Sequence, residues 1–387
     1  MPRVGVRELV TLSRVIAGGN LIRDDVGGTS YTSRFETQLR EKLAVKHALV
    51  VNSGTNALIT ALVGAGIGPG DEVLVPAYTW IATAIAPLAV GAVPVLVDID
   101  ESLTIDPEDI KRKITPYTKA IIPVHMLNLV CNMDAITKIA KQFNLRIIED
   151  ACQAVGAIYR GRRVGTIGDA GAFSFNQHKN ITAGEGGAVL TNDDRIFTRS
   201  WMYQDVGAYR HKLEFEGNQP LVAGGHFKVS ELTGAVLHAQ LPRLDPLLRR
   251  LRKRRTAMAK YLSKSRRMRI SPHNDPSDAI GLSVIFERSE DAKAFATKRG
   301  VQRLIDIDRH VYTNWIPVLT QRTFDDRMNP YRWARREITY TADMCCSTLD
   351  ILERTCHVSL GANYPVALMR LRAKMLFKAV SQMAYAR

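Results

Sequence analysis

The stretch Phe173–Asp193, FSFNQHKNITAGEGGAVLTND, sets one lysine, Lys179, between an aromatic strand-like run and a cluster of glycines. Such a lysine can be a solvated charge, an anion clamp or a nucleophile. The rhythm around it shows what fold carries it. AGAFSF (170–175) and GAVLT (187–191) read as strands on its two sides. Upstream, HALVV (47–51), EVLVP (72–76), VPVLVDI (93–99), KAIIPVH (119–125) and RIIED (146–150) repeat the pattern. Several are apolar at consecutive positions, as expected of strands covered on both faces. Helical stretches such as 56–65 and 133–143 separate them. This βαβ rhythm predicts an α/β domain with a mainly parallel, mixed sheet sandwiched by helices.

Downstream the character changes. Residues 227–262 are helical and charged, DAIGLSVIFE (278–287) reads as a strand, and 289–301 reads as a helix opened by Ser289 as N-cap. A terminal helix is expected over 365–384. These elements predict a smaller C-terminal α+β domain, with a division into 1–250 and 251–387. No internal repeat or low-complexity segment is visible.

The chain has 387 residues, 46% hydrophobic and 24% charged, an ordinary globular composition. Its net charge of +15 is concentrated in RLDPLLRRLRKRR (243–255) and SKSRRMR (263–269). Leucines 244, 247, 248 and 251 make the first run an amphipathic helix with a basic outer face. No nucleic-acid-binding motif accompanies it, so nucleic acid is not an expected partner. None of the five cysteines (131, 152, 345, 346, 356) forms a CxxC pair, and no metal-ligand spacing occurs. The first residues lack the apolar core of a signal peptide, and no stretch is long enough to span a membrane. The expectation is a cytoplasmic protein with no metal and no membrane partner.

Two nucleotide readings fail. GAGIGPG (64–70) follows a helix and has Pro69 where a dinucleotide fingerprint needs its third glycine. No Gly-Lys pair exists for a P-loop. VVNSGTNAL (50–58) is better placed, running from a strand into a helix. It suits one phosphate group, with Ser53, Gly54 and Thr55 as donors, or it is a simple N-capped turn.

Pyridoxal phosphate needs a lysine, an acid for the pyridinium nitrogen, a stacking aromatic and phosphate donors. Asp150 ends the strand RIIED, although it also suits a helix N-cap. Gln153 lies three residues on, within reach of the ring's phenolic oxygen. Trp80 follows VPAYT and can stack on the ring or pack in the core. Ser174 precedes Lys179 by five residues and adds a phosphate hydroxyl.

SGTNAL, PAYTWIATA, EDACQAVGA and FSFNQHKNITAGEGGA together resemble the motif series of the DegT/DnrJ/StrS aminotransferases, fold-type I pyridoxal phosphate enzymes. The similarity covers roughly 25–380. The resemblance implies that Lys179 forms the Schiff base, Asp150 faces the pyridine nitrogen, Gln153 meets the phenolic oxygen and Trp80 stacks. It implies that Gly54, Thr55 and Ser174 hold the phosphate. HFKVSE resembles the family's NYRMSE, so His226 stands at the asparagine that reaches the neighbouring subunit's phosphate, and Lys228 at the arginine. VHMLN resembles VHLYG, with Leu127 at a tyrosine of the substrate site. In a dehydratase branch a histidine replaces the lysine; here Lys179 holds that place and His178 precedes it.

The implied reaction moves an amino group from glutamate or glutamine to a ketone or aldehyde acceptor, a keto-sugar, cyclitol or related biosynthetic intermediate. Tyr31, His178, His310, Tyr312 and Trp315 are candidates for the substrate site. A homodimer with shared active sites is the implied assembly. A lyase, cyclase or dehydratase on the same fold, and a non-catalytic regulator, are the alternatives.

Overall fold

The computed structural model describes residues 4–23, 30–207, 223–361 and 364–382. Helices α1 (Val6–Gly18) and α2 (Tyr31–Leu43) precede the first strand. Strand β1 (His47–Val51) then leads into α3 (Gly54–Gly64), β2 (Glu72–Pro76) into α4 (Ala82–Ala89), and β3 (Val93–Val97) into α5 (Pro107–Lys113). Strand β4 (Thr118–Ile121) precedes α6 (Met133–Phe143), and β5 (Arg146–Asp150) is followed by the small hairpin β6 (Ile158–Tyr159) and β7 (Arg162–Arg163). Strands β8 (Ala170–Ser174) and β9 (Gly187–Thr191) complete the sheet before α7 (Asp194–Gln204).

The sheet order is β1-β9-β8-β5-β4-β2-β3. All neighbours are parallel except those of β9, which runs against both β1 and β8. Consecutive apolar residues feed opposite layers. Val50, Leu74, Ile121, Phe173 and Leu190 join one core cluster, whereas Val51, Val73, Ala120, Ala172 and Val189 join the other. The continuous apolar runs are thus the two-residue period of strands buried on both faces.

Helices α8 (Glu231–Gln240) and α9 (Leu244–Leu262) follow, then an antiparallel sheet of β10 (Met268–Ile270), β11 (Ser283–Phe286), β12 (Val301–Arg303) and β13 (Thr355–Val358) in the order β10-β11-β13-β12. Three expectations shift. Helix α9 runs unbroken across 250/251, because Leu248, Leu251, Met258 and Leu262 keep one buried face throughout. The strand expected over 278–287 shortens to β11, and a 3-10 turn occupies Pro276–Asp278. Ser289 is the first residue of the helix Ser289–Ala296, not its cap, and its hydroxyl turns to Glu290. The C-terminal helix Val366–Ser381 packs along α9.

Candidate active site

The carboxyl ends of β1, β2, β4, β5 and β8 point into one cavity of about 660 Å³. In open α/β sheets this edge is where ligands bind. Asp150 ends β5 with only 5% of its surface exposed. Thr83 Oγ1 donates to its Oδ2 at 2.7 Å and the Cys152 N–H to its Oδ1 at 3.1 Å, so its carboxylate plane is held from both sides. Thr79 and Thr83 hydroxyls meet at 2.8 Å and extend that network toward β2.

Lys179 lies on a tight loop between β8 and β9. Phe175 N–H donates to Gly186 O, Gln177 N–H to Gly184 O, and Ala183 N–H to Phe175 O. Gly184 has φ of 86°, a conformation that costs other residues energy. The loop presents Lys179 half-buried to the cavity, and its Nζ makes no hydrogen bond or ion pair among the described residues.

At the amino end of α3, Ser53 Oγ accepts from Asn56 N–H at 3.0 Å, which is the capping contact. The Ser53 O–H and the first helical N–H groups have no intrahelical acceptor and can still donate to a ligand. Gly54 faces Ser174: a Cβ at Gly54 would lie 2.7 Å from Ser174 Cβ and 3.0 Å from Cys152 Sγ. The missing side chain lets the helix N-terminus pack directly against Ser174, so the first helical N–H groups and the Ser174 hydroxyl form one cradle at the edge of the cavity.

His310 comes from the second half of the chain. The segment 309–312 lies along 77–81, with Thr79 N–H donating to His310 O and Tyr312 N–H to Ala77 O, both at 3.0 Å. His310 Nε2 sits 3.3 Å from Gln153 Nε2. An amide nitrogen only donates, so this imidazole nitrogen accepts and the ring proton resides on Nδ1. Burial, and then the charge of Lys179, push the His310 pKa down to about 4. The Gln153 Oε1 accepts from Leu127 N–H at 3.4 Å. Trp80 is 39% exposed and tilts against His310 at 5.2 Å, with the Arg309 guanidinium 4.9 Å from its ring centroid. Trp80 lines the cavity, whereas Arg309 does not.

Of the residues read from sequence, Gly54, Thr55, Trp80, Asp150, Gln153, Ser174, His178, Lys179 and His310 line this cavity, and Leu127 does too. Tyr31, Tyr312 and Trp315 do not. Tyr31 packs its ring on His238 at 5.5 Å. Tyr312 and Trp315 are fully buried, the Tyr312 hydroxyl donating to Ala342 O and the Trp315 indole to Arg309 O. Their apolar bulk puts them in the core, where they hold the 309–312 segment. His226 is exposed and outside this chain's own cavity, and Lys228 is paired with Asp205 at 2.9 Å. Sequence reasoning missed Thr83, Thr79, Cys152, Asn128 and Asn180. Thr79 and Thr83 are the two threonines of the otherwise largely apolar run AYTWIATAIAPLA, which is their one signal in the sequence. Asn180 Nδ2 bridges Asn128 Oδ1 and Val155 O, both at 2.9 Å, and ties the lysine loop to the loop after β4.

The model of the DegT/DnrJ/EryC1/StrS aminotransferase family matches residues 11–353. The chain belongs to this family. The GDP-perosamine synthase of Caulobacter vibrioides is 43% identical over 218 residues, 54% of this chain and 56% of that protein. The L-glutamine:2-deoxy-scyllo-inosose aminotransferase of Micromonospora echinospora is 40% identical over 226 residues, 57% of this chain and 54% of its own length. The chain thus spans little more than half the length of these two relatives. The dTDP-3-amino-3,4,6-trideoxy-alpha-D-glucose transaminase of Streptomyces venezuelae is 38% identical over 279 residues, 70% of this chain and 71% of the relative. Among solved structures, 3-amino-5-hydroxybenzoic acid synthase superposes with a TM-score of 0.81 at 26% identity, covering 99% of this chain and 98% of that one. S. venezuelae DesV superposes with a TM-score of 0.78 at 28% identity, covering 99% and 100%. The fold is that of the fold-type I pyridoxal phosphate enzymes.

The residues present fit pyridoxal phosphate. The cradle at Gly54 and Ser174 suits a phosphate, the buried Asp150 suits a ring nitrogen, the cavity-lining indole of Trp80 suits an aromatic ring, and Lys179 lines the same cavity.

Proposed function

We propose that this chain is a pyridoxal phosphate-dependent aminotransferase that takes an amino group from glutamate or glutamine and delivers it to the carbonyl of a keto-sugar, cyclitol ketone or related intermediate. The convergence of Lys179, Asp150, Gln153 and the Gly54–Ser174 cradle in one cavity supports this reading. When bound, pyridoxal phosphate supplies an electron sink for the carbanion left at the donor's Cα. Lys179 anchors the group and its amine takes up and returns the Cα proton. Asp150, oriented by Thr83 and the Cys152 N–H, holds a proton on the ring nitrogen. Gln153 keeps one N–H on His310 and has a second for the phenolic oxygen. Trp80 excludes water from one ring face. A lysine at position 179 favours transamination over the dehydratase reading.

The acceptor class is inferred from relatives named for sugar and cyclitol substrates. His226, exposed and outside its own chain's cavity, supports a homodimer in which it faces the partner's phosphate site. We also infer a reducing, cytoplasmic setting, since all five cysteines are free. The test is a screen of amino donors against the pyridoxal form, then of keto-sugars, cyclitol ketones and small aldehydes against the pyridoxamine form. Turnover of glutamate or glutamine with an acceptor of these classes is expected. Absence of cofactor absorbance, or elimination without amino transfer, would overturn the reading.

A further inference from the structure

We propose that the face formed by α9 and the C-terminal helix Val366–Ser381 docks this protein on an anionic lipid surface. Residues 246–269 carry eleven Lys and Arg and no Asp or Glu, and 366–381 carry four and none. The exposed cations of α9 are not scattered. Three of the four, Arg249, Lys253 and Lys260, fall at i, i+4 and i+11 on one outward stripe that leads to Lys264, and Arg250 lies beside it. The two helices pack side by side, and Lys264 and Lys374 each reach the Tyr261 ring at 5.6 Å, so the basic stripes of both helices meet there.

The C-terminal helix adds a second property. Its buried side is Met369, Ala373, Leu376 and Val380. On the outer side, Leu368, Leu371 and Met375 are 43%, 55% and 65% exposed, at i, i+3 and i+7, beside the row Arg370, Lys374 and Lys378. The result is an apolar stripe along the edge of a cationic surface. No helix of the described residues is long and apolar enough to cross a membrane. A stripe of this kind instead lies in the interface, apolar side chains entering the acyl boundary while lysines meet anionic headgroups.

Charge decides between occupants. A second copy in a two-fold contact would set this cationic face against itself. Nucleic acid would use the cations but leaves the apolar stripe in water, and the outer face carries no aromatic row on which bases could stack. An anionic bilayer satisfies both properties at once.

Co-sedimentation of the full chain with equimolar phosphatidylglycerol and phosphatidylcholine vesicles tests this, against vesicles of phosphatidylcholine alone. Binding to the anionic vesicles only, released by salt, is expected. Lys374→Glu with Lys378→Glu should weaken it by roughly tenfold or more. Leu371→Ser with Met375→Ser should weaken it as well, with circular dichroism unchanged in both variants. Failure to sediment with anionic vesicles, or full binding by the Leu371→Ser/Met375→Ser variant, would overturn the proposal. So would tighter retention on duplex DNA than on the vesicles.

Discussion

Thr83 Oγ1 donates a 2.7 Å hydrogen bond to Asp150 Oδ2, with both side chains buried. A β-branched residue in the first turn of α4 thereby sets the orientation of a carboxylate at the end of β5. Thr83→Val keeps the shape and removes the donor. Hydrogen bonds to charged groups contribute ~1.5–3 kcal/mol, so kcat/KM should fall by ~10–100-fold, and Thr83→Ser should recover most of it. An unchanged kcat/KM in the valine variant would show that Asp150 is oriented without Thr83.

Lys179→Ala should abolish the visible absorbance of the lysine-linked cofactor while leaving the fold intact. Amino transfer should drop by roughly 10²–10⁴-fold or more, the range of a positioned acid–base group. A variant that retains the band would move the anchor to another residue.

Gly54→Ala tests the cradle. Its Cβ would lie 2.7 Å from Ser174 Cβ, so either the helix N-terminus or the strand end must shift. Overpacking of this kind costs about 1–3 kcal/mol. The cofactor dissociation constant, measured by fluorescence titration, should rise, with the thermal midpoint changing less than the affinity. Equal affinity for both proteins would place the phosphate elsewhere.

Glu149 sits next to Asp150 but serves the scaffold. Its buried carboxylate accepts from Gly165 N–H at 2.8 Å, Ile167 N–H at 2.5 Å, Gly168 N–H at 2.7 Å and the His125 ring at 3.1 Å. Glu149→Gln puts an amide donor among these donors, so stability should fall by ~3 kcal/mol or more, read from chemical denaturation. A neutral outcome would mean that the 165–168 loop rearranges around the amide.

Acid stability follows from three histidines. Burial pushes the pKa of His273, His310 and His357 down to about 4, aided by the positive charge of Arg255, Lys179 and Arg372 respectively. Between about pH 4 and the ordinary value of 6.5 the unfolded chain therefore binds more protons than the native one. Native stability is fully present above that window and is lost as pH falls through it. His357→Gln should flatten the decline of the thermal midpoint between these limits. An identical slope would assign acid unfolding to other groups.

Much of this molecule is legible in its linear order. The runs at 47–51, 72–76, 146–150 and 187–191 coincide with strands, because burial on both faces favours apolar residues at consecutive positions. Asp150, Ser174 and Lys179 are legible because the first two end strands of that kind and the third lies in the loop that follows one. His310 could be named only as a candidate among Tyr31, Tyr312 and Trp315, since a loop between short 3-10 turns carries no period. Thr83 passed unnoticed because its partner is 67 residues away.

The sequence by itself determined that a mostly parallel sheet would form, that an acid and a serine would stand at the ends of two of its strands, and that a lysine would follow in the next loop. Local periodicity encodes which faces are buried, and that suffices to build strands and place residues at their ends. Only the tertiary structure decided that β9 would insert antiparallel between β1 and β8, bringing Gly54 against Ser174. It also decided that His310 would return across 157 residues to Gln153, and that α9 and the C-terminal helix would join their cations beside an apolar stripe. These are contacts between segments whose adjacency depends on packing the whole core, which no local pattern specifies.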